Sequence, residues 1–215
     1  MDVRIRPSKL NGKLSIPSSK SCAHRALICA ALADGKSVIS GVSMSKDIEA
    51  TIGSMKALGA EFEINGSEIT VRGIKNPSEK AVIDCCESGS TLRFLIPVAA
   101  ALGTDSEFVG KGRLPQRPID IFIRELGKKG IRFLSETMPY KMTGKLNGGT
   151  FCLEGDVSSQ FVTGLLFALP LLDEDSEICL TSHLESRPYV DITVEMLRRY
   201  GIEIEETENS YRIRG

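Results

Sequence analysis

Three stretches decide how this chain is read: DIEATIGSMKALGAEFEI at 47–64, PIDIFIRELGKKGIRFL at 118–134 and YVDITVEMLRRYGIEIE at 189–205. Each carries apolar residues at helical spacing, then a glycine, then the alternation of a half-buried strand. Ile48, Ile119 and Val190 follow one another at intervals of 71 positions, as do Met55, Leu126 and Leu197, and as do Gly59, Gly130 and Gly201. A glycine just past an amphipathic helix is the expected left-handed C-terminal cap. Self-similarity at a fixed period points to one folding unit used three times.

The register runs on through the hairpins, where Phe62, Phe133 and Ile204, and then Ile69, Tyr140 and Tyr211, keep the same spacing. Asn65-Gly66 is a two-residue turn signal between alternating strands. Gly73, Gly144 and Gly215 close the copies. The front half of each copy follows one plan: a short strand (LSI at 14, AVID at 81, TFCL at 150), a Ser-rich or Gly-rich turn, then a helix. Those helices, RALICAALA, RFLIPVAAAL and FVTGLLFALPLL, are apolar nearly all round, which places them in the interior. Pro97 and Pro170 are expected to bend two of them.

The expectation is therefore a mixed α/β fold of three βαβαββ repeats around a pseudo-threefold axis, with helices inside and sheets outside, each sheet keeping one face in water. The copies span about 13–73, 74–144 and 145–215 and form a single domain, because one copy alone would leave its apolar helix uncovered. Residues 1–12 precede the repeats.

Composition narrows the function. The 215 residues carry 27 Lys and Arg against 28 Asp and Glu, and aromatics make up 6%, so neither a basic face nor stacking platforms for nucleic acid are expected. Six cysteines show no CxxC spacing, and His24 and His183 lie far apart, which speaks for small packed thiols in a reducing compartment and against a metal site. The opening MDVRIRPSKLNG has no apolar stretch of a signal peptide, and no run reaches the roughly 18 residues needed to span a bilayer. A cytoplasmic protein without membrane attachment is expected.

The chemistry lies at the helix starts. The turns before the apolar helices read Ser18-Ser19-Lys20-Ser21, Glu87-Ser88-Gly89-Ser90-Thr91 and Val157-Ser158-Ser159-Gln160. Free N–H groups there favour anions, although a capping serine needs no ligand. Lys20, Arg25, Arg93 and Arg117 all lie near helix starts, where cations oppose the helix dipole unless an anion is bound. The second helices open with Lys46-Asp47, Gln116-Arg117-Pro118 and Ser186-Arg187-Pro188. A small phosphate or carboxylate ligand follows as the expectation. His24 reads as a packed imidazole, Cys85-Cys86 as packing, and Tyr189 either as a core ring with a wet hydroxyl or as a ligand cover. The GKGR at 110–113 fits no phosphate-loop spacing.

Taken in order, SIPSSKSCAHRALICAALADG, ESGSTLRFLIPVAAALG, LPQRPID, SSQFVTGLLFALPLL and SRPYVDIT resemble the successive motifs of the 3-phosphoshikimate 1-carboxyvinyltransferase (EPSP synthase) family. The resemblance spans the whole chain but about half of the family's length. It implies two similar domains of three βαβαββ units with the active site between them, of which this chain supplies one and the C-terminal domain is the partner. It also implies transfer of a carboxyvinyl group from phosphoenolpyruvate to the 5-hydroxyl of shikimate 3-phosphate, through a tetrahedral intermediate and without a cofactor. On that basis Lys20, Ser21 and Arg25 would hold shikimate 3-phosphate, Lys20 also reaching phosphoenolpyruvate. Gly89 and Arg117 would contact phosphoenolpyruvate. Ser158, Ser159 and Ser186 would grip the 3-phosphate and hydroxyls, Gln160 would lie between the substrates, and Tyr189 would pack near the ring. Arg93 would support the site without touching substrate. Glu87, Ser90 and Arg187 stand where the family usually has asparagine, threonine and lysine. The family's proton-transfer carboxylates belong to the other half, so no catalytic residue is expected here and the isolated chain is expected to be inactive.

Two other readings stay open from the residues. A UDP-N-acetylglucosamine enolpyruvyl transferase shares the repeats, but its reactive cysteine has no counterpart in KGRLPQRPID. A non-catalytic binding module, or one part of a split enzyme, would equally lack acid and base groups.

Overall fold

The computed structural model describes residues 3, 4, 7, 9 and 11–215. Half of residues 1–12, the segment expected to precede the repeats, lie outside the described residues.

The first third of the chain forms α1 (Lys20–Leu32), β1 (Lys36–Ile39), α2 (Lys46–Ala57), β2 (Glu61–Asn65) and β3 (Glu68–Arg72). The second forms β4 (Lys80–Asp84), α3 (Gly89–Leu102), β5 (Asp105–Val109), α4 (Asp120–Gly127), β6 (Arg132–Phe133) and β7 (Tyr140–Thr143). The third forms β8 (Gly149–Leu153), α5 (Ser159–Ala168), β9 (Ser176–Leu180), α6 (Arg187–Arg199), β10 (Ile204–Glu206) and β11 (Ser210–Ile213). Each third builds its own sheet. The second and third sheets have the orders β4-β5-β7-β6 and β8-β9-β11-β10, with the first pair parallel and the others antiparallel. The first sheet has three strands, β1-β3-β2, all antiparallel.

The 71-residue period survives as geometry. Ile69, Tyr140 and Tyr211 pair with Ile39, Phe108 and Ile178, the same place in each sheet. The helix ends agree as well: Ala60 N–H donates to Met55 O, Ile131 N–H to Leu126 O and Ile202 N–H to Leu197 O, at 3.0, 3.2 and 3.1 Å. This is the outer bond of a Schellman cap. It is made possible by positive φ at Gly59, Gly130 and Gly201 (116°, 99° and 84°).

Solvent is excluded from the three apolar helices as their composition requires. Every residue of α3 except Ser90 and Leu102 is buried, and every residue of α5 except Gln160. These helices pack closely enough that a Cβ on Gly164 would lie 2.3 Å from the Arg93 carbonyl oxygen. Around them Phe94 meets Phe167, and Phe122 meets Phe161, edge to face at 5.6 and 4.9 Å. Full burial of each such ring contributes about 2 kcal/mol. The strands of the second and third sheets alternate buried and exposed, for example exposed Lys80, Val82 and Asp84 against buried Ala81 and Ile83.

Three local expectations are corrected. Pro170 does not bend a helix. It sits in a short 3-10 turn, Leu169–Leu171, after α5 has ended, because its missing N–H and ring stop the α-helix there. The turn between β2 and β3 is Gly66-Ser67, one residue later than Asn65-Gly66, with Gly66 at φ 60°. Finally, LSI at 14 forms no strand: Leu14 and Ile16 are 81% and 82% exposed. In the second copy the chain turns from β4 toward α3 through Cys86 at φ 50°, two residues before the capping Ser88. Two residues before Ser19, which caps α1, stands Pro17, which cannot adopt that conformation, although the third copy reaches α5 from β8 without a left-handed residue there.

Candidate functional site

At their N-terminal ends the two buried helices break their burial at one place. Gln160 Nε2 donates to Ser90 Oγ at 3.0 Å, and both side chains line a cavity of about 470 Å³. Its wall also receives Ser21 from α1, Ser158 and Ser159 from the start of α5, Arg117 from before α4, and Ser186 and Tyr189 from the start of α6. The starts of all three apolar helices thus converge, each bringing N–H groups without helical acceptors and at least one hydroxyl.

Three arginines surround the same space. Arg25 is 3% exposed and spans α1, α5 and α6. Its Nε donates to Thr193 Oγ1 (2.7 Å), Nη1 to Ser21 O (2.9 Å), and Nη2 to Tyr189 O (2.8 Å) and Thr163 Oγ1 (3.4 Å). Burial lowers its pKa to about 10, so it remains charged at neutral pH. Arg93 lies over the Phe161 ring at 4.7 Å, donates to Pro118 O through Nε and Nη2, and holds Gln160 Oε1 at 3.0 Å through Nη1. It thereby fixes both the loop that carries Arg117 and the amide between Ser90 and the cavity. Burial, and then the charge of Arg117, push its pKa down. Arg117 is exposed and lies across the start of α3, where a Cβ on Gly89 would be 3.2 Å from its Cδ and 3.4 Å from its Cζ. Among the described residues, none of these three arginines forms an ion pair, although eleven pairs are found elsewhere. Gathering cations without carboxylates prepares a site for an external anion.

Ser186 adds a second sign of a site under constraint. It occupies the N-cap of α6 at φ 57°, ψ 35°, and its hydroxyl makes no capping bond. A left-handed conformation is uncommon for a residue other than glycine and clusters at functional sites.

Most of the expected residues are brought together here: Ser21, Arg25, Arg117, Ser158, Ser159, Gln160, Ser186 and Tyr189 line the cavity, and Gly89 lies under Arg117. Lys20 is not part of the lining. Its ammonium pairs with Asp47 at the start of α2, so a carboxylate from the neighbouring helix offsets its position at the positive end of α1. Arg187 also turns away, toward Asp191 (3.6 Å) and Glu206 (3.9 Å). Tyr189 is 48% exposed and so is no core ring. His24 is 1% exposed, with Nδ1 2.8 Å from Thr51 Oγ1, and burial lowers its pKa to about 4. It is neutral and packed, as expected. Cys85 is buried as well, and burial pushes its thiol pKa up.

The sequence reading missed the threonines that align these helices. Thr51 Oγ1 and Thr91 Oγ1 are 2.7 Å apart, and Thr163 and Thr193 3.2 Å apart; all four are fully buried. Thr51 and Thr193 occupy the same position of copies one and three, where copy two has Phe122. That recurrence of a polar residue on a buried face was the available signal.

A family model for EPSP synthase (3-phosphoshikimate 1-carboxyvinyltransferase) matches residues 5–215. The chain belongs to the EPSP synthase family. Among curated relatives named 3-phosphoshikimate 1-carboxyvinyltransferase, one from Clostridium kluyveri is 47% identical over 213 residues, covering 98% of this chain and 50% of the relative. Another, from Clostridium beijerinckii, is 45% identical and covers 94% of this chain and 49% of its own length. The solved EPSP synthase from Acinetobacter baumannii superposes with a TM-score of 0.80 at 24% identity, over 95% of this chain and 47% of that structure, which shows the shared fold. The chain spans about half the length of the curated relatives it matches.

Proposed function

We propose that this chain is the shikimate 3-phosphate-binding half of a 3-phosphoshikimate 1-carboxyvinyltransferase, and that it also supplies part of the phosphoenolpyruvate site. The observation that carries the reading is the meeting of Arg25, Arg93 and Arg117, all without carboxylate partners, at a Ser-rich cavity where helix starts converge. The reaction assigned by family joins the 5-hydroxyl of shikimate 3-phosphate to the carboxyvinyl group of phosphoenolpyruvate and releases phosphate, so two phosphates and two carboxylates must be neutralised together.

In this reading the hydroxyls of Ser158, Ser159 and Ser186 receive the 3-phosphate, with Ser21 and the Arg25 charge beside it, and Tyr189 covers the ring. Gln160, oriented by Arg93 and Ser90, separates the two substrates. Arg117, held at the α3 start, takes phosphoenolpyruvate together with the N–H groups around Gly89. Lys20, 56% exposed, joins by exchanging Asp47 for a substrate anion. The three repeats act as one binding unit, since each lends one wall.

Proton transfer needs an acid and a base within hydrogen-bond reach of the reacting groups. Neither a carboxylate nor an imidazole lines this cavity among the described residues. The chain therefore binds without turning over, and activity requires the other half of the relatives' length. A cytoplasmic setting goes with the six free cysteines, and no helix among the described residues is long and apolar enough to cross a membrane.

Calorimetric titration of the 215-residue chain with shikimate 3-phosphate tests the reading. Saturable binding is expected, weakened about tenfold in Ser159→Ala, the loss of one hydrogen bond to the charged 3-phosphate. The Ser159 hydroxyl makes no hydrogen bond to protein among the described residues, the capping bond of α5 being made by Ser158, so thermal unfolding should be little changed in the variant. Absence of binding by a folded wild-type chain would end the proposal.

A further inference from the structure

The two buried threonine pairs hold different ends of the cavity. Thr51 Oγ1 on α2 lies 2.7 Å from Thr91 Oγ1 in the first turn of α3, and the Thr91 hydroxyl donates to Ser88 Oγ, the α3 cap, at 2.8 Å. With its proton given to Ser88, Thr91 accepts from Thr51, and Thr51 accepts in turn from His24 Nδ1 at 2.8 Å. A chain of four side chains thus ties α1 and α2 to the start of α3. At that start the Thr91 N–H is taken by Ser88 Oγ, while the N–H groups of Gly89 and Ser90 have no protein acceptor among the described residues. Gly89 lies under Arg117, and Ser90 lines the cavity.

The other pair serves Arg25. Thr193 Oγ1 donates to Tyr189 O at 3.0 Å and accepts from Arg25 Nε at 2.7 Å, because a guanidinium can only donate. Thr163 Oγ1 then gives its proton to Thr193 at 3.2 Å and accepts from Arg25 Nη2 at 3.4 Å. Each hydroxyl proton has one acceptor, so the guanidinium is fixed against α5 and α6. The two groups share no hydrogen bond among the described residues, although they begin at neighbouring positions of α1, His24 and Arg25. None of the four threonines lines the cavity. Copy two has no such pair: Phe122 stands at the place of Thr51 and Thr193, and Arg93 stands five residues after its cap as Thr163 does.

We propose, resting on the substrate assignment above, that Thr51 and Thr91 are positioning residues for phosphoenolpyruvate and that Thr163 and Thr193 are positioning residues for shikimate 3-phosphate. Binding groups have to be held to within about 0.5 Å by the side chains behind them. The hook from Thr51 to the first turn of α3 sets the rotation of that helix start. It thereby decides where the free N–H groups of Gly89 and Ser90 stand relative to Arg117. Thr163 and Thr193 decide instead where the Arg25 charge stands relative to Ser21 and Tyr189. Each substrate is therefore adjusted by its own pair, without contact between threonine and ligand.

Steady-state phosphate release by the chain joined with the second half of its relatives' length tests this, each substrate being varied at saturation with the other. Thr91→Val and Thr51→Val should each raise the KM for phosphoenolpyruvate at least about fivefold, through loss of a neutral hydrogen bond, and move that for shikimate 3-phosphate by less than about twofold. Thr163→Val should show the reverse pattern. Thr91→Ser and Thr163→Ser keep the hydroxyl and should return both constants to the wild-type values. Threonines that serve stability alone would lower the melting temperature of the valine variants without separating the two constants, and that result overturns the inference. So does a rise in KM that serine fails to reverse. A wild-type joined protein that releases no phosphate from the two substrates ends the functional reading itself, and this inference with it.

Discussion

The guanidinium of Arg117 lies directly over Gly89, so close that a Cβ at residue 89 would stand 3.2–3.4 Å from Arg117 Cδ, Nη1 and Cζ. The glycine is there for approach, since its backbone is ordinary helix start. Gly89→Ala should displace Arg117 by a few tenths of an ångström and weaken the anion it holds. The expected result is about a tenfold loss of phosphoenolpyruvate affinity in the chain joined with its second half, with shikimate 3-phosphate affinity and melting temperature little changed. Equal losses for both ligands would contradict the placement.

Ser186 permits a cleaner separation of stability from binding. At φ 57° a glycine is more comfortable than a serine, and the hydroxyl makes no capping bond that would be lost. Ser186→Gly should leave urea stability unchanged or raise it by up to about 1 kcal/mol. Shikimate 3-phosphate binding should nevertheless weaken severalfold. A variant both more stable and equally tight would remove Ser186 from the ligand contacts.

His24 sets a pH window. Its ordinary pKa of 6.5 falls to about 4 in the folded chain, chiefly through burial. Below pH 6.5 the unfolded chain gains a proton that the folded chain refuses until about pH 4. Stability from this source is complete above pH 6.5 and drains away between those values, by about 3 kcal/mol in all. His24→Asn, which retains a donor for Thr51, should flatten that portion of the curve. Urea unfolding of both proteins from pH 7 to 4 checks it; parallel curves would show that His24 does not titrate this way.

Gly164 carries the contact between α3 and α5. A Cβ there would meet the Arg93 carbonyl oxygen at 2.3 Å, Pro97 Cγ at 3.0 Å and Phe122 Cζ at 3.2 Å. Gly164→Ala should destabilise by about 2 kcal/mol, the usual scale of overpacking. Because the same two helices carry Ser90 and Gln160, it should also weaken ligand binding; unchanged unfolding in urea would contradict the close approach.

The elements with local causes were legible in the sequence. Gly59, Gly130 and Gly201 mark three helix ends with a period, and the serines at 19, 88 and 158 mark three starts. The convergence of those starts was foreseen from the repeats, and the cavity lining bears the geometry out. What escaped depends on residues distant along the chain. Lys20 looked available because Asp47 is 27 positions away, and Arg25 gave no hint of Thr193, 168 positions on. The LSI segment misled for a different reason: its apolar alternation suits a strand, but Leu14 and Ile16 pair with no strand among the described residues and stay exposed.

The meeting of three helix starts also bears on descent. A unit of about seventy residues with this pattern offers one ring of amides, one or two hydroxyls and a greasy helix that only its siblings cover. An ancestor made of that unit alone could build the hollow solely as a trimer. Within one polypeptide the copies need not match, and positions 51 and 193 carry threonine where position 122 carries phenylalanine.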